Sequence, residues 1–208
     1  SSISAEWNEQ ANAFAAWCVG KTVEELQAAT LNEKNQVVDI VASCTLTVNE
    51  FLPGVLDAVA KAEHRGAKAG DVLKLTQVST MSKSKDATAT AAGQAQVYTH
   101  VGMFTLNGDV VTSAYIDAVQ ANVAFNAEGK ITSDLTVAVQ TKNELKEGYG
   151  MKGISPIGKE WYEQAAALEA WCIGKTLDEV LGMKTFDRGD GSHTMVPDEP
   201  DLKAGCTI

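Results

Sequence analysis

Four cysteines are the residues of this sequence best suited to covalent chemistry, and their placement is repetitive. Cys18 and Cys172 occupy matching positions in two similar segments, and so do Cys44 and Cys206. This placement predicts one disulfide in each copy, Cys18 with Cys44 and Cys172 with Cys206, each worth roughly 3 to 4 kcal/mol of stability. The alternative is that the four side chains are small buried residues filling the same core position twice. Four cysteines also allow three pairings, so the sequence leaves both interpretations open.

Aromatic side chains near the cysteines could bind a flat ligand by stacking. They fall at helical spacing, which is more typical of core residues than of a ligand site. The residues concerned are Trp7, Trp17, Trp161, Tyr162 and Trp171.

Sequence motifs for hydrolytic, nucleotide-driven or zinc-dependent catalysis are absent. The chain has no Gly-x-Ser-x-Gly, no His-Glu-x-x-His, no phosphate-binding loop and no Gly-x-Gly-x-x-Gly. Its histidines, His64, His100 and His193, are isolated, and no Cys-x-x-Cys is present. The sequence therefore indicates neither an enzyme nor a metal site.

The negative net charge of the chain argues against one class of partner, nucleic acids. The chain has 17 basic and 27 acidic residues and a net charge of −10, which repels phosphate backbones, so we expect no nucleic-acid partner. No apolar run reaches the roughly 18 residues of a membrane span, so we expect no transmembrane segment in this chain. The first four residues lack the features of a signal peptide, which was either removed or never present.

An internal duplication organises the chain. Residues 5–26 match residues 159–180 at a constant offset of 154. After eight extra residues in the second copy, residues 39–46 match residues 201–208. Because the first copy lacks a counterpart of residues 70–154 before it, we interpret the chain as a slice of a longer tandem protein or as one whose ends are clipped.

Each copy predicts a helix, a turn, a second helix and a short strand. Apolar residues recur at helical spacing from Trp7 to Cys18 and from Trp161 to Cys172. Gly20 and Gly174 stand where a left-handed helix end is expected. Each is followed by the T-x-x-E pattern of a capping box, Thr22 with Glu25 and Thr176 with Glu179. Residues 39–46 and 201–208 are the predicted strands.

Between the copies the sequence changes from helical to alternating periodicity. A third helix is expected from about residue 51 to 62, with residues 47–50 as a possible capping box. Residues 63–70 are polar and contain glycine, which indicates a boundary. Alternating runs from residue 72 to 125, with Asn107-Gly108 between two of them, predict an antiparallel β meander. We therefore predict an α+β fold, with residues 1–67 as the C-terminal part of a first repeat and residues 70–208 as a second repeat.

Two stretches resemble FMN-binding domains, the family found in flavinylated subunits of sodium-pumping quinone reductases, Rnf complexes and Gram-positive surface electron-transfer lipoproteins. Residues 121–132, Ala-Asn-Val-Ala-Phe-Asn-Ala-Glu-Gly-Lys-Ile-Thr, are similar to the family's hairpin with an acidic-Gly-Lys turn. Residues 39–47, Asp-Ile-Val-Ala-Ser-Cys-Thr-Leu-Thr, are similar to its Asp-x-x-Ser-Gly-Ala-Thr-x-Thr segment. The order of hairpin, helix ending in Gly-Lys and this segment is also the family's order. The resemblance covers about residues 97–208, and residues 1–65 as part of a second unit.

The resemblance implies an exported protein at the cell surface that carries electrons on FMN. In such domains the threonine closing the motif can be esterified to the FMN phosphate, which by position is Thr45 or Thr207. Asp39 and Asp201 are then the motif aspartates, and Gly205 is the motif glycine, which could adopt a positive φ and approach the phosphate closely. The first copy departs from the motif at residues 42–44, Ala-Ser-Cys, and the second has Ala204 and Cys206 beside its glycine. The alternative is a non-redox surface or structural interaction module that has kept the scaffold and lost the flavin.

Overall fold

The protein is an α+β molecule made of a three-stranded antiparallel sheet, a small two-stranded sheet and several short helices. The computed structural model describes residues 2–208, so Ser1, the first residue of the predicted 1–67 repeat, lies outside it. The chain divides into two compact units, Ser1–His64 and Arg65–Ile208. Within residues 2–208, no helix combines the length and the apolar character that crossing a membrane requires.

The first unit is helical. Helix α1 (Trp7–Cys18) is followed by α2 (Val23–Gln27), a 3-10 turn (Val38–Ile40) and α3 (Phe51–Ala60). The predicted capping box is formed at the start of α2, where the Thr22 side chain accepts from the Glu25 N–H. No side-chain cap forms at the start of α3, so the box predicted at residues 47–50 is wrong. The buried core consists of Phe14, Leu26, Val37, Cys44, Val48 and Leu52.

The second unit begins with the predicted meander, β1 (Val72–Thr80), β2 (Gly93–Asn107) and β3 (Val110–Phe125), in that order across the sheet. It continues with α4 (Lys142–Leu145), a 3-10 turn (Lys146–Tyr149), α5 (Trp161–Cys172) and α6 (Leu177–Leu181). Two short strands, β4 (Thr185–Phe186) and β5 (Val196–Pro197), form the second sheet. Helix α5 packs on β3, and its Trp161 and Ala165 are buried together with Ala118 of that strand.

The β2–β3 turn lies one residue beyond its predicted position. Asn107 pairs with Val110, so the two turn residues are Gly108 and Asp109. Only Gly108 of these two has a positive φ, of 63°, which is the pattern of a type II′ turn with glycine in the first central position. The glycine thus determines the register of the hairpin.

The strands predicted at the end of each copy are not formed. Residues 41–46 and 201–208 form turns and irregular backbone, because their amides close local helical turns. Cys44 N–H donates to the Ile40 carbonyl at 2.8 Å, and Cys206 N–H donates to the Leu202 carbonyl at 3.0 Å. The repeated unit is therefore helix, turn, helix and a compact terminal turn.

The eight extra residues of the second copy lengthen one connection. In the first copy this connection is closed by a single bridge between Leu31 and Val37. In the second copy the same place holds the β4–β5 pair. The insertion is thus absorbed by a longer hairpin.

Candidate functional site

The two motif threonines make the same hydrogen bonds in both copies. Thr45 donates its backbone N–H and its Oγ1 hydroxyl to Oε1 of Gln10, at 2.8 and 2.9 Å. Thr207 donates the same two groups to Oε1 of Gln164, at 2.8 and 3.0 Å. The structure therefore brings each predicted attachment hydroxyl against a glutamine of the preceding long helix.

These glutamines are buried and belong to the duplicated segment. Gln10 on α1 is 4% exposed and Gln164 on α5 is 0% exposed. Their Nε2 groups donate to the carbonyls of Ala5 at 2.9 Å and Lys159 at 3.0 Å, so each amide joins the start of its helix to the motif threonine. Burial of a polar side chain is tolerated when its groups are paired in this way. The sequence signal for this pair is the identical Glu-Gln-Ala in both copies, at residues 9–11 and 163–165.

The two motif aspartates differ in their surroundings. Asp201 accepts a hydrogen bond from Nε1 of Trp171 at 3.0 Å. Asp39, its counterpart, is exposed in the first turn of the 3-10 helix. The indole Nε1 of Trp17, the counterpart of Trp171, is buried and has no hydrogen-bond partner within residues 2–208. The aspartate therefore has a shared sequence position but no shared structural role.

Gly205 does not have the positive φ that its motif position suggested. A Cβ atom at this position would lie 3.0 Å from Cβ of Ala167 on α5 and 3.3 Å from the Leu202 carbonyl oxygen. The small residue therefore allows the terminal turn to pack against the helix. In the first copy Ser43 stands at the equivalent position and is exposed.

The terminal turns offer little to an FMN phosphate. Phosphate sites in proteins are built largely from free backbone N–H groups. Here the amides of Gly205 and Cys206 donate to the Leu202 carbonyl, at 2.7 and 3.0 Å, and the Thr207 amide donates to Gln164. In addition, an ester at Oγ1 would remove the hydrogen that the threonine gives to the glutamine. These residues do not fit a bound FMN phosphate.

The four cysteines are free, in contrast to the predicted disulfides. Cys44, Cys172 and Cys206 are buried at 1%, 2% and 0% exposure, and Cys18 is half-buried. Burial is the main cause that raises the pKa of Cys172 to about 11, and it also raises the pKa of Cys18 and Cys206. The structure thus corresponds to the alternative interpretation, in which the cysteines are small apolar core residues.

The apolar face of α1 borders an open cavity of about 350 Å³. Every residue around it belongs to the first unit, and the aromatic rings of Trp7 and Phe51 lie 6.3 Å apart at its rim. The residues lining the cavity are Trp7, Ala11, Phe14, Ala15, Cys18, Leu46, Phe51 and Val55. This cavity is suited to an apolar partner, because such pockets gain most from burying apolar surface.

The equivalent face of α5 is covered within its own unit. Trp161 and Ala165 are 5% and 1% exposed because they pack with residues of the sheet. Trp7, the counterpart of Trp161, is 59% exposed. Two helices with tryptophan, alanine and cysteine at matching positions therefore differ in whether a sheet covers them.

A buried lysine completes the packing around Trp161. The Lys142 ammonium lies 4.6 Å from the ring centre of Tyr98, 4.5 Å from Tyr149 and 5.2 Å from Trp161. It also donates to the Tyr98 hydroxyl at 2.6 Å. Desolvation lowers the pKa of Lys142 to about 8, and the nearby Asp117 carboxylate opposes this shift. The three rings stabilise the charge through cation–π contacts.

The sequence does not identify Lys142 as a buried residue, because the local pattern around it is a capping box, which concerns backbone hydrogen bonds. Thr141 and Glu144 have the T-x-x-E spacing, and the structure forms that capping box at α4. The box locates the helix, whereas the burial of Lys142 follows from the packing of α4 against β3. Among residues 2–208 no group of three or more His, Cys, Asp or Glu side chains could hold a metal ion.

Comparison with known proteins gave no match: no protein family, no curated protein and no solved structure is significantly similar to this chain.

Proposed function

We propose that this protein is a non-redox interaction module, built on a scaffold that resembles FMN-binding domains and acting at the cell surface. The observation that carries this proposal is the open apolar face of α1 around the 350 Å³ cavity. A 59% exposed tryptophan beside such a cavity is typical of surfaces that are covered by a partner. The surface location and the export of the protein are predictions from the resemblance.

Two further observations favour the flavin-free alternative over an electron carrier. The Thr45 and Thr207 hydroxyls both donate to buried glutamines, a use that explains their presence in both copies without a cofactor. The amides of the second terminal turn are already hydrogen-bonded, so a phosphate would have to compete with them.

Intact mass and a visible absorption spectrum of the protein, purified from its native host, test the non-redox part. We expect the mass of the unmodified polypeptide and no visible absorption. Added mass of an FMN phosphodiester that maps to Thr45 or Thr207 would overturn the proposal and establish a flavoprotein. The variants Thr45→Val and Thr207→Val are the matched controls, since each removes one attachment hydroxyl.

Binding of an apolar fluorescent dye, an anilinonaphthalene sulfonate, tests whether the α1 face is an accessible apolar site. We expect fluorescence to rise with the wild-type protein and to fall to a small fraction with Ala11→Glu, which places in the cavity wall a negative charge that repels the sulfonate of the dye. Equal dye fluorescence in both proteins would place the accessible apolar surface elsewhere. Circular dichroism of both proteins checks that the variant is folded.

A further inference from the structure

We propose that the occupant of the α1 face is the equivalent of residues 65–158 from another repeat unit, that is, an antiparallel β meander of the β1–β3 type with the short helix and loop that follow it. This inference rests on the proposed function and names the partner's chemistry. It follows from the internal duplication, because the second unit shows what covers a helix of this sequence. The first unit then has one half of an interface whose complete form is present in the same chain.

The helix positions that meet the sheet have the same residue types in both copies. Trp161, Ala165 and Cys172 of α5 are buried at 5%, 1% and 2% exposure. Their counterparts, Trp7, Ala11 and Cys18 of α1, line the open cavity. The spacing of four and seven residues places all three on one helix face, so the same strand surface fits both helices.

The strand surface that covers α5 has a defined chemistry. Ala118 of β3 is 0% exposed and lets the helix approach closely, and Ile116 and Tyr98 pack beside it. Residues two positions apart on a strand lie on the same face of the sheet. A small residue beside a large one on that face leaves room for the side chains of a packed helix. A partner for α1 therefore presents a strand with alanine at the point of closest approach.

The side chains around Trp161 predict which side chains a bound partner places around Trp7. Trp161 has the Lys142 ammonium 5.2 Å from its ring centre, together with the neighbouring Tyr98 and Tyr149. Trp7 has Phe51 at 6.3 Å in a tilted contact. We therefore expect the short helix after the bound meander to bring a lysine equivalent to Lys142 over the Trp7 ring, a contact that gains strength when it is desolvated.

Glu6 of α1 can make the polar contact that Glu160 of α5 makes in the second unit. The buried Glu160 carboxylate accepts the backbone N–H groups of Met151 and Lys152, at 2.8 and 2.9 Å. Glu6 occupies the same N-terminal position on α1, forms the same capping box and is exposed. It can accept the equivalent two amides of a meander unit.

One difference predicts that docking on α1 is weaker than the contact on α5. Glu169 accepts the Ile116 N–H at 2.7 Å and pairs with Arg65 at 2.9 Å. Its counterpart on α1 is Ala15, which makes no such bond. A buried amide left without an acceptor costs roughly 1–3 kcal/mol, so the α1 complex exchanges more easily.

The test attaches residues 65–158 directly before Ala5 of the full chain, in place of residues 1–4. This connection reproduces the one that joins the meander to α5, because Lys159 is the counterpart of Ala5. The added segment contains no cysteine and no tryptophan, so it adds no signal of its own. The readout is the rate at which a thiol reagent labels Cys18, followed by peptide mass mapping.

We expect Cys18 labelling to slow by about tenfold or more in the extended chain, because a covered thiol reacts only when the contact opens. Ala11→Arg in the extended chain is expected to restore the original rate, since arginine cannot fit against the alanine of the strand. Ala15→Glu is expected to increase the ratio between the labelling rates of the original and the extended chain, because it supplies the missing acceptor only where the meander is bound.

An unchanged Cys18 rate in the extended chain would overturn the meander as the occupant. So would a slower rate that Ala11→Arg fails to restore, because the protection would then come from another surface. These outcomes are independent of the flavin measurement and of dye binding to the original chain. A dye-binding, colourless protein with an unchanged Cys18 rate would keep the interaction module and reject only this partner.

Discussion

At the scale of single residues, the buried glutamines explain more of the structure than the motif residues do. Gln164 is fully buried and joins the start of α5 to Thr207 through its two amide atoms. Gln10 does the same for Thr45 in the first unit. The threonine hydroxyl that resembled an attachment point is one of the donors satisfied by this arrangement.

Replacing the glutamine should therefore destabilise its unit. Gln164→Leu keeps the volume but leaves the Thr207 N–H and the Lys159 carbonyl without their partner, at a cost of roughly 2–3 kcal/mol. Urea denaturation followed by circular dichroism measures the change. Thr207→Val is the matched control, which removes only the hydroxyl donor and should cost about 1 kcal/mol. Equal losses in both variants would contradict the role assigned to Gln164.

Lys142 should make stability depend on pH in the mildly alkaline range. Its pKa is lowered from 10.5 to about 8, so above pH 8 the folded protein releases a proton that the unfolded chain retains. At this residue the unfolded state then binds more protons, so Lys142 adds on the order of 2 kcal/mol to the free energy of unfolding between pH 7 and about 9.5. Cys18, Cys172 and Cys206 oppose this rise, because burial raises the pKa of their thiols in the folded protein.

The measurement is urea denaturation between pH 7 and about 9.5, below the range in which tyrosines titrate. Lys142→Met removes the titrating group and leaves the cysteines in place, so the difference in the free energy of unfolding between the two proteins isolates Lys142. This difference should change by on the order of 2 kcal/mol in favour of wild type between pH 7 and about 9.5. A difference that does not change with pH would assign the effect to another group. The limit on pH matters because burial raises the pKa of Tyr98 to about 12, which gives an opposite trend above pH 10.

At the scale of elements, local sequence signals were sufficient where the determining contacts are local. The boundaries of α1, α2, α5 and α6 follow from helical spacing, glycine and the capping boxes, all within a few residues. The terminal segments, predicted as strands, form local helical turns, and the Thr45 amide that follows one of these turns has its acceptor 35 residues away on α1. Such a contact carries no local pattern, and β-branched residues alone suggested a strand.

The positive φ at the end of α1 gives a test of the element boundary. Gly20 has φ +82° with open space around it, so Gly20→Ala should destabilise the protein by about 1 kcal/mol through backbone strain alone. Gly54 lies in α3 of the same unit without a positive φ and also faces open space. Gly54→Ala should therefore stabilise by about 0.5–1 kcal/mol. Thermal unfolding of both variants measures the two opposite shifts, and shifts of equal sign would contradict the assignment.

At the scale of the whole molecule, the chain carries the same repeated segment in two different states. In the second unit α5 packs on the sheet, and in the first unit the corresponding face lines a cavity. The duplication and the meander were predictable from the sequence, since both are patterns within it. The cavity was not, because its existence depends on what covers a face that both copies share.

Thiol titration tests the state of the cysteines in both units together. The structure has Cys18, Cys44, Cys172 and Cys206 free, so denatured protein that has not been exposed to reductant should react with four equivalents of thiol reagent. The same experiment after reduction serves as the control and should give the same number. Fewer reactive thiols before reduction would reveal disulfides and contradict the structure.

The connection after α6 has a practical consequence for protein engineering. One copy closes this connection with the single Leu31–Val37 bridge, and the other extends it into the β4–β5 hairpin. A point at which two copies of a segment differ in length is a natural insertion site. Lengthening the chain there costs less folding free energy than it does within a helix or the central sheet. A foreign epitope or a fluorescent label placed between residues 187 and 195 should therefore be displayed on the surface without disturbing the scaffold that carries it.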